Sequence, residues 1–286
     1  MAKTVAVSEQ GAEHVEQGFD AGASIMHHVE DSSSFHLWGD TYIHLPESWE
    51  LFGVNFAPTK HVVMMWLAGI VILVLFRLAA RQTRNPVPKG IRNALEVMLI
   101  YLRDDVVRKA IPTHSEAFTG YLLTTFFFIL TLNLIGLVPL MATATGNIAV
   151  TLGLAIISFL VIHISGLREF GLVGHFKNFI PGGVPWWLIP LIFPLEIFGA
   201  LIKAGVLAIR LFANMLAGHM VILAFISLIF MLAQSFSPLV GWASSPAAVG
   251  LALFVYMLEV LVAFLQAFIF TMLTAQFIGM SVHPSH

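Results

Sequence analysis

Glu196, Lys203 and Arg210 follow one another at intervals of seven residues, and Asn214 comes four later, in a run from about 188 to 233 that is otherwise apolar apart from His219. At about 100° per residue these four positions fall along one face of a helix. Ala213 and Ala217 share that side, and small residues let another helix approach closely; a partner surface is implied. Glu259 and Gln266, again seven apart, make a second polar stripe on a later apolar run. Facing residues of an antiparallel hairpin have numbers that add to a nearly constant total. The pairs Arg210 with Gln266 and His219 with Glu259 share that total to within two, so one register serves both.

A histidine and a carboxylate held together exchange protons near neutral pH, whereas an arginine, with a pKa above about 12, does not. In the shared register His219 and Glu259 meet on one side of Arg210, and Glu196 sits about four turns earlier on the other side. This describes two half-paths for protons, divided by a charge that carries none. A static route cannot cross such a barrier, so a mobile partner must ferry protons past it. Blander roles stand beside this one. Lys203 can snorkel its amine to an interface, and Asn214 and Gln266 can be hydrogen bonds between helices. His219 or Glu259 taken singly reads as a satisfied polar group, and only the common register raises the pair above that. His163 and Asn133, in other apolar runs, have no assignable partner and are read as structural.

The elements that must hold these residues are membrane helices. Of the 286 residues 58% are hydrophobic and 10% charged, a balance that a water-soluble globule cannot hide inside itself. A formal net charge of -2 gives no reason to expect nucleic acid as a partner. With no cysteine there is no disulfide, iron-sulfur or thiol chemistry. The twelve methionines and twenty-four phenylalanines read as lipid-facing or packing residues, and no cofactor is expected. Each charge within the bilayer costs ~2.5 to 3.5 kcal/mol on insertion scales, so the charged positions above should face protein or a water-filled cavity.

Residues 1–59 carry nine acids against Lys3 alone, with histidines at 14, 27, 28, 36 and 44, and are read as a polar tail outside the membrane. The tail lacks the apolar core of about 7 to 15 residues of a cleaved signal, which leaves targeting to the first span. Within it "FHLWGDTYIHLP" suggests a small hairpin around Gly39 and Asp40. His36, Asp40 and His44 suggest a metal less well than a solvated tail, because Gly39 and Pro46 spoil the helix that would align them; no metal is expected.

Residues 60–286 are read as the membrane domain, an all-α polytopic fold with spans at about 61–80, 118–140, 147–166, 188–233 and 247–280, each at or above the ~20 residues that cross a bilayer. Arg77, Arg81, Arg84, Lys89, Arg92, Arg103, Arg108 and Lys109 mark a cytoplasmic segment, which puts the N-terminus outside and, after five crossings, the C-terminus inside. In that segment Ile91, Ala94, Leu95, Met98, Leu99, Leu102 and Val106 recur at helical spacing and predict an amphipathic surface helix over about 88–110. Arg168, Lys177 and "PGGVP" mark a second inner loop, and "SFSPLVGWASSP" the outer turn between the last two helices. Those two would be about 68 and 51 Å long as continuous helices, against a hydrocarbon core of ~30 Å. They must form a steeply tilted antiparallel hairpin or be broken, with Pro190 and Pro194 as candidate bends. No internal repeat of the kind common in secondary transporters is evident.

At the polar residues a family resemblance enters. "IRLFANMLAGHMV" (209–221) and "LQAFIFTMLTAQFI" (265–278) resemble the two signature helices of subunit a of the rotary F-type ATP synthase, and "LNLIGLVP" (132–139) with "NIAVTLGLAI" (147–156) resembles its earlier spans. The likeness runs from about 55 to 280. It implies a proton-translocating stator subunit, not an enzyme by itself, in a bacterial inner membrane. It implies as partners a rotating c-ring bearing one embedded carboxyl per subunit, peripheral-stalk b subunits, other ATP synthase subunits and the lipid bilayer. Arg210 matches the family's essential arginine; His219 and Glu259 match its outer proton pair; Asn214 and Gln266 match polar positions beside the arginine; Glu196 matches an acid near the inner channel. Many bacterial members carry glutamate first and histidine second, and here the two are exchanged. Gly136 stands where some bacterial members have an aspartate. The rival readings are a stand-alone ion or solute transporter with Arg210 binding an anion, and a structural membrane scaffold.

Overall fold

The computed structural model describes residues 34–36, 42–44, 50–51, 54–55, 59–81, 90–138, 141, 143–177 and 185–283. Among these, five helices are long and apolar enough to cross a membrane: α1 (Lys60–Arg81), α3 (Ser115–Gly136), α4 (Ile148–Lys177), α5 (Ile189–Ser235) and α6 (Pro238–Val282). The helix α2 runs before α3 through Ile91–Tyr101, a π-helical stretch Leu102–Val107 and Arg108–Ala110. The all-α membrane fold therefore holds. The tail contributes two short antiparallel ribbons: Ser34–His36 paired with Tyr42–His44, with Phe35 opposite Ile43, and Glu50–Leu51 paired with Val54–Asn55. The first agrees with the hairpin read from the sequence; Gly39 and Asp40, and with them the candidate metal trio as a set, lie outside the described residues.

The chain packs as two units, one containing Gly218–Met257 and the other Asp31–Ala217 with Leu258–His286. In the larger unit α3 is the central helix. Its Leu122, Phe126, Phe127, Ile129 and Leu130 join Leu102, Val106, Val107 and Ile111 of the α2 region, Leu207 and Leu211 of α5, and Ala267, Phe270, Ala275, Ile278 and Val282 of α6 in one core. Phe127 meets Phe76 of α1 edge-on at 5.0 Å between centroids, and Phe126 meets Phe264 of α6 edge-on at 5.8 Å. Such geometry favours the ring quadrupoles by about 0.5 to 1.5 kcal/mol beyond the area buried.

The helix α2 is therefore more than a surface anchor. Its first half leaves Ile91, Val97, Ile100 and Tyr101 exposed, but Leu102, Val106 and Val107 are core residues. The last helix comes so close to its end that a Cβ on Gly279 would lie 2.1 Å from the Ala110 carbonyl oxygen. Its outer side is laced by ion pairs, Arg103 and Arg108 each with Asp104 at 2.9 Å and Lys109 with Asp105 at 2.5 Å. The hydrogen bond from Arg103 holds the Asp104 carboxyl below the usual carboxylate range, and Asp105 raises Lys109 in the same manner. Such exposed pairs contribute little to stability.

Three boundaries differ from the sequence reading. The third span does not stop near 166: helical residues continue to Lys177, and Arg168 and Lys177 lie on them, with a break at Gly171, where φ is 67° and ψ 178°, a conformation open to glycine and strained for residues with a Cβ. The helix α5 is unbroken for 47 residues with Pro194 inside it, while Pro190 falls in its first turn, where no amide partner is needed. The turn between the last two helices shrinks to Phe236 and Ser237, because α6 begins at Pro238 and passes through Pro246. Proline at 246 offers no N–H to the Trp242 carbonyl four residues back; the Ser245 hydroxyl donates to that oxygen at 2.9 Å instead. A helix interior in lipid tolerates proline when a neighbouring hydroxyl satisfies the freed carbonyl.

Candidate functional site

The seam that carries Arg210 is built by its neighbours. Leu207 and Leu211 are buried in the main core with Ala267 and Phe270 of α6, which fixes the rotation of α5 about its axis. Arg210 is then half-buried at the edge of that seam. Beside it Val206, Ile209, Ala213 and Ala217 form an exposed apolar stripe at helical spacing, so the sequence expectation of small residues on the arginine's side describes an open face. Among the described residues the guanidinium makes no hydrogen bond or ion pair. A fixed cation in a bilayer without a carboxylate beside it costs free energy.

On α6 the second stripe is buried. Glu259 is 4% exposed and Gln266 7%. Neither carboxylate oxygen of Glu259 has a hydrogen-bond partner among the described residues. Asn214, next to the fully buried Met215, is half-buried, as are Glu196 and His219. His219 belongs to the smaller packed unit and Glu259 to the larger. Lys203 is exposed, with its Nζ 5.6 Å from the centroid of the Phe277 ring on α6. That contact agrees within about a turn with the register that pairs Arg210 and Gln266, and a cation over an aromatic face gains about 0.5 to 1 kcal/mol at an exposed site.

Sequence reasoning missed the partner of Asn133. This residue of α3 is fully buried, and its Nδ2 donates to the Ala263 carbonyl at 3.1 Å, between Glu259 and Gln266 in the chain. Its polarity within an apolar span was the signal; the partner depends on packing between helices far apart in sequence. His163 also finds a partner, His175. Gly136 proves to be a packing position: a Cβ there would lie 2.9 Å from Thr143 Cγ2, while Thr143 Oγ1 donates to the Gly136 carbonyl at 3.2 Å. A larger side chain would not fit this turn without moving Thr143.

Five apolar helices, the last two carrying stripes of ionisable residues, are those of a polytopic membrane protein. Comparison with known proteins makes this specific. The family described as ATP synthase A chain matches residues 62–279. ATP synthase subunit a of Chloroherpeton thalassium is 45% identical over 267 residues, covering 91% of this chain and 77% of that protein. ATP synthase subunit a 2 of Prosthecochloris aestuarii is 42% identical over 98% of this chain and 86% of its own length. Subunit a of Myxococcus xanthus is 44% identical over 80% and 74%. The chain belongs to the ATP synthase A chain family. Its partners are thus other subunits of that complex, and the reading as a stand-alone transporter is not supported.

Proposed function

We propose that this chain is the stationary half of a proton-driven rotary motor in a bacterial inner membrane, with the N-terminus outside and the C-terminus cytoplasmic. It faces a ring of c subunits along the stripe of Val206, Ile209, Ala213 and Ala217 and is braced by peripheral-stalk b subunits. The observation that carries the reading is the half-buried guanidinium of Arg210, unpaired among the described residues and bordering that open stripe.

A ring carboxyl that has released its proton to the inner path through Glu196 is drawn to Arg210. At 4 Å the attraction is ~4 kcal/mol for an effective dielectric of 20, which biases the ring without trapping it. The carboxylate moves on and takes a proton from the outer path, where His219 and Glu259 relay it and Asn214 and Gln266 line the approach. Lys203 stands at the inner path in a weaker role. Because arginine holds its proton at any working pH, no neutral chain of donors joins the two paths. Each proton brings ~2.3 kcal/mol per 100 mV of potential, and the offset of the two paths turns that energy into rotation. ATP hydrolysis runs the cycle backward. The exchanged order of His219 and Glu259 preserves the pair, and so the relay.

Co-purification and reconstitution test this. The chain should leave the membrane with a small ring-forming subunit and a soluble ATPase head, and should conduct no protons when reconstituted alone. Proton or solute flux by the isolated chain would count against the proposal.

A further inference from the structure

Away from the polar stripes, Asn147 stands just before α4 with extended backbone, φ -106° and ψ 124°. Its carbonyl accepts from the Thr151 amide at 3.3 Å, and its side-chain Oδ1 accepts from the Ala149 amide at 2.9 Å. That is the geometry of an N-cap, in which a side-chain oxygen serves an amide that the helix leaves without a partner. The cap settles which way round the side-chain amide lies. With Oδ1 committed to Ala149, Nδ2 faces His61 Nδ1 of α1 at 3.5 Å. An amide nitrogen only donates, so Nδ1 must accept, and an imidazole accepts only while it is neutral. At the long end of the hydrogen-bond range, one proton is enough to decide this contact.

His61 is 4% exposed, and Lys60, the charged group next to it in the chain, 7%. Met64 and Ala68, further along α1, pack with Leu132 of α3 and with Ala144, so the contact joins α1 and α4 beside the end of α3 that carries Asn133. Residues 126–136 of α3 and the segment 143–147 have no ionisable side chain. The helix α2, with Arg92 and Glu96, packs toward the other end of α1, where Ile72 and Phe76 join the main core along with Leu95 and Met98. Protonating His61 would put a positive charge beside Lys60 and set an N–H against the N–H of Asn147. Turning the Asn147 amide to offer its oxygen instead would take the cap from Ala149. We propose that the contact is a pH-sensitive tie: neutral His61 fastens the start of α1 to the N-terminus of α4, and protonation releases it. In the orientation proposed above this end faces outside, where protons arrive, so a falling outer pH loosens the support of α3 at Asn133. The tie shares no residue with the proton path, and its test stands apart from that reading.

The test uses the whole complex in detergent, with thermal midpoints measured from about pH 8 to about pH 5.5, on either side of the ordinary imidazole range. Asn147→Ser keeps a capping oxygen and removes the donated N–H. Its midpoint should fall below that of the wild type at the higher pH, and the difference should vanish at the lower. In a His61→Leu background the difference should be absent at both, a cycle in which the titration of other groups cancels. Asn147→Asp should reverse the sign. Its carboxylate also caps Ala149 and accepts from protonated His61, so its midpoint should rise relative to Asn147→Ser as the pH falls. A difference between wild type and Asn147→Ser that does not change with pH, or that persists without His61, would overturn the proposal. Should His61→Leu fail to assemble, Asn147→Asp against Asn147→Ser decides alone: a gap that widens toward low pH supports the tie, and a constant gap refutes it.

Discussion

Asn133 on α3 donates to the carbonyl oxygen of Ala263 on α6 at 3.1 Å, both residues being fully buried. The bond ties the central helix to the last one about a turn from Glu259, and it therefore sets the depth and rotation of the carboxyl. Hydrogen bonds between membrane helices contribute ~0.6 kcal/mol on average and at most about 1.7. Asn133→Leu, close in volume, should lower the stability of the assembled complex by that amount in a detergent unfolding titration, and should slow proton pumping as Glu259 loses its fixed position. Unchanged stability and unchanged pumping would show that the bond positions nothing.

The relay assigned to His219 and Glu259 depends on both residue types being present, in either order. The double exchange His219→Glu with Glu259→His should retain more ATP-driven proton pumping in membrane vesicles than His219→Ala or Glu259→Ala alone. Equal loss in all three variants would argue that the residues work separately.

Glycine carries a close helix contact in the larger unit. A methyl group at 279 would meet the Ala110 carbonyl oxygen at 2.1 Å, a backbone atom that cannot rotate away. Gly279→Ala should therefore destabilise by about 1 to 3 kcal/mol, the usual cost of overpacking. Gly153→Ala in α4 is the control, because nothing lies within 4 Å of its Cβ position; it should be neutral or stabilise by about 0.5 to 1 kcal/mol. Comparable losses in both, read from thermal unfolding of the purified complex, would contradict the close packing of α6 on α2.

What could be read from the sequence followed from contrast. Arg210, Glu196 and Glu259 stand out because apolar runs make every charge conspicuous, and their sevenfold spacing needs only helix geometry. The five crossings and the tail hairpin 34–44 were legible for similar reasons. Local chemistry misled where a tertiary or side-chain device overrides it. Pro246 signals a turn, yet the Ser245 hydroxyl replaces the missing amide and the helix continues. Arg168 and Lys177 signal a loop, yet both are helical, and the only interruption between them in α4 is Gly171. The apolar face of α2 signals a membrane surface, yet its second half belongs to the core. Asn133 and His163 were visible as polar residues but not as contacts, because their partners, the Ala263 carbonyl and His175, are chosen by packing rather than by spacing.

The central claim is that a cation which never gives up its proton divides two proton paths. Arg210→Lys tests it most directly, since lysine keeps a positive charge in water but releases its proton in a desolvated site and lacks the planar fork of donors. In vesicles carrying the assembled variant complex, acidification driven by ATP should be absent while soluble ATPase activity persists. Acidification at the wild-type rate would contradict the account.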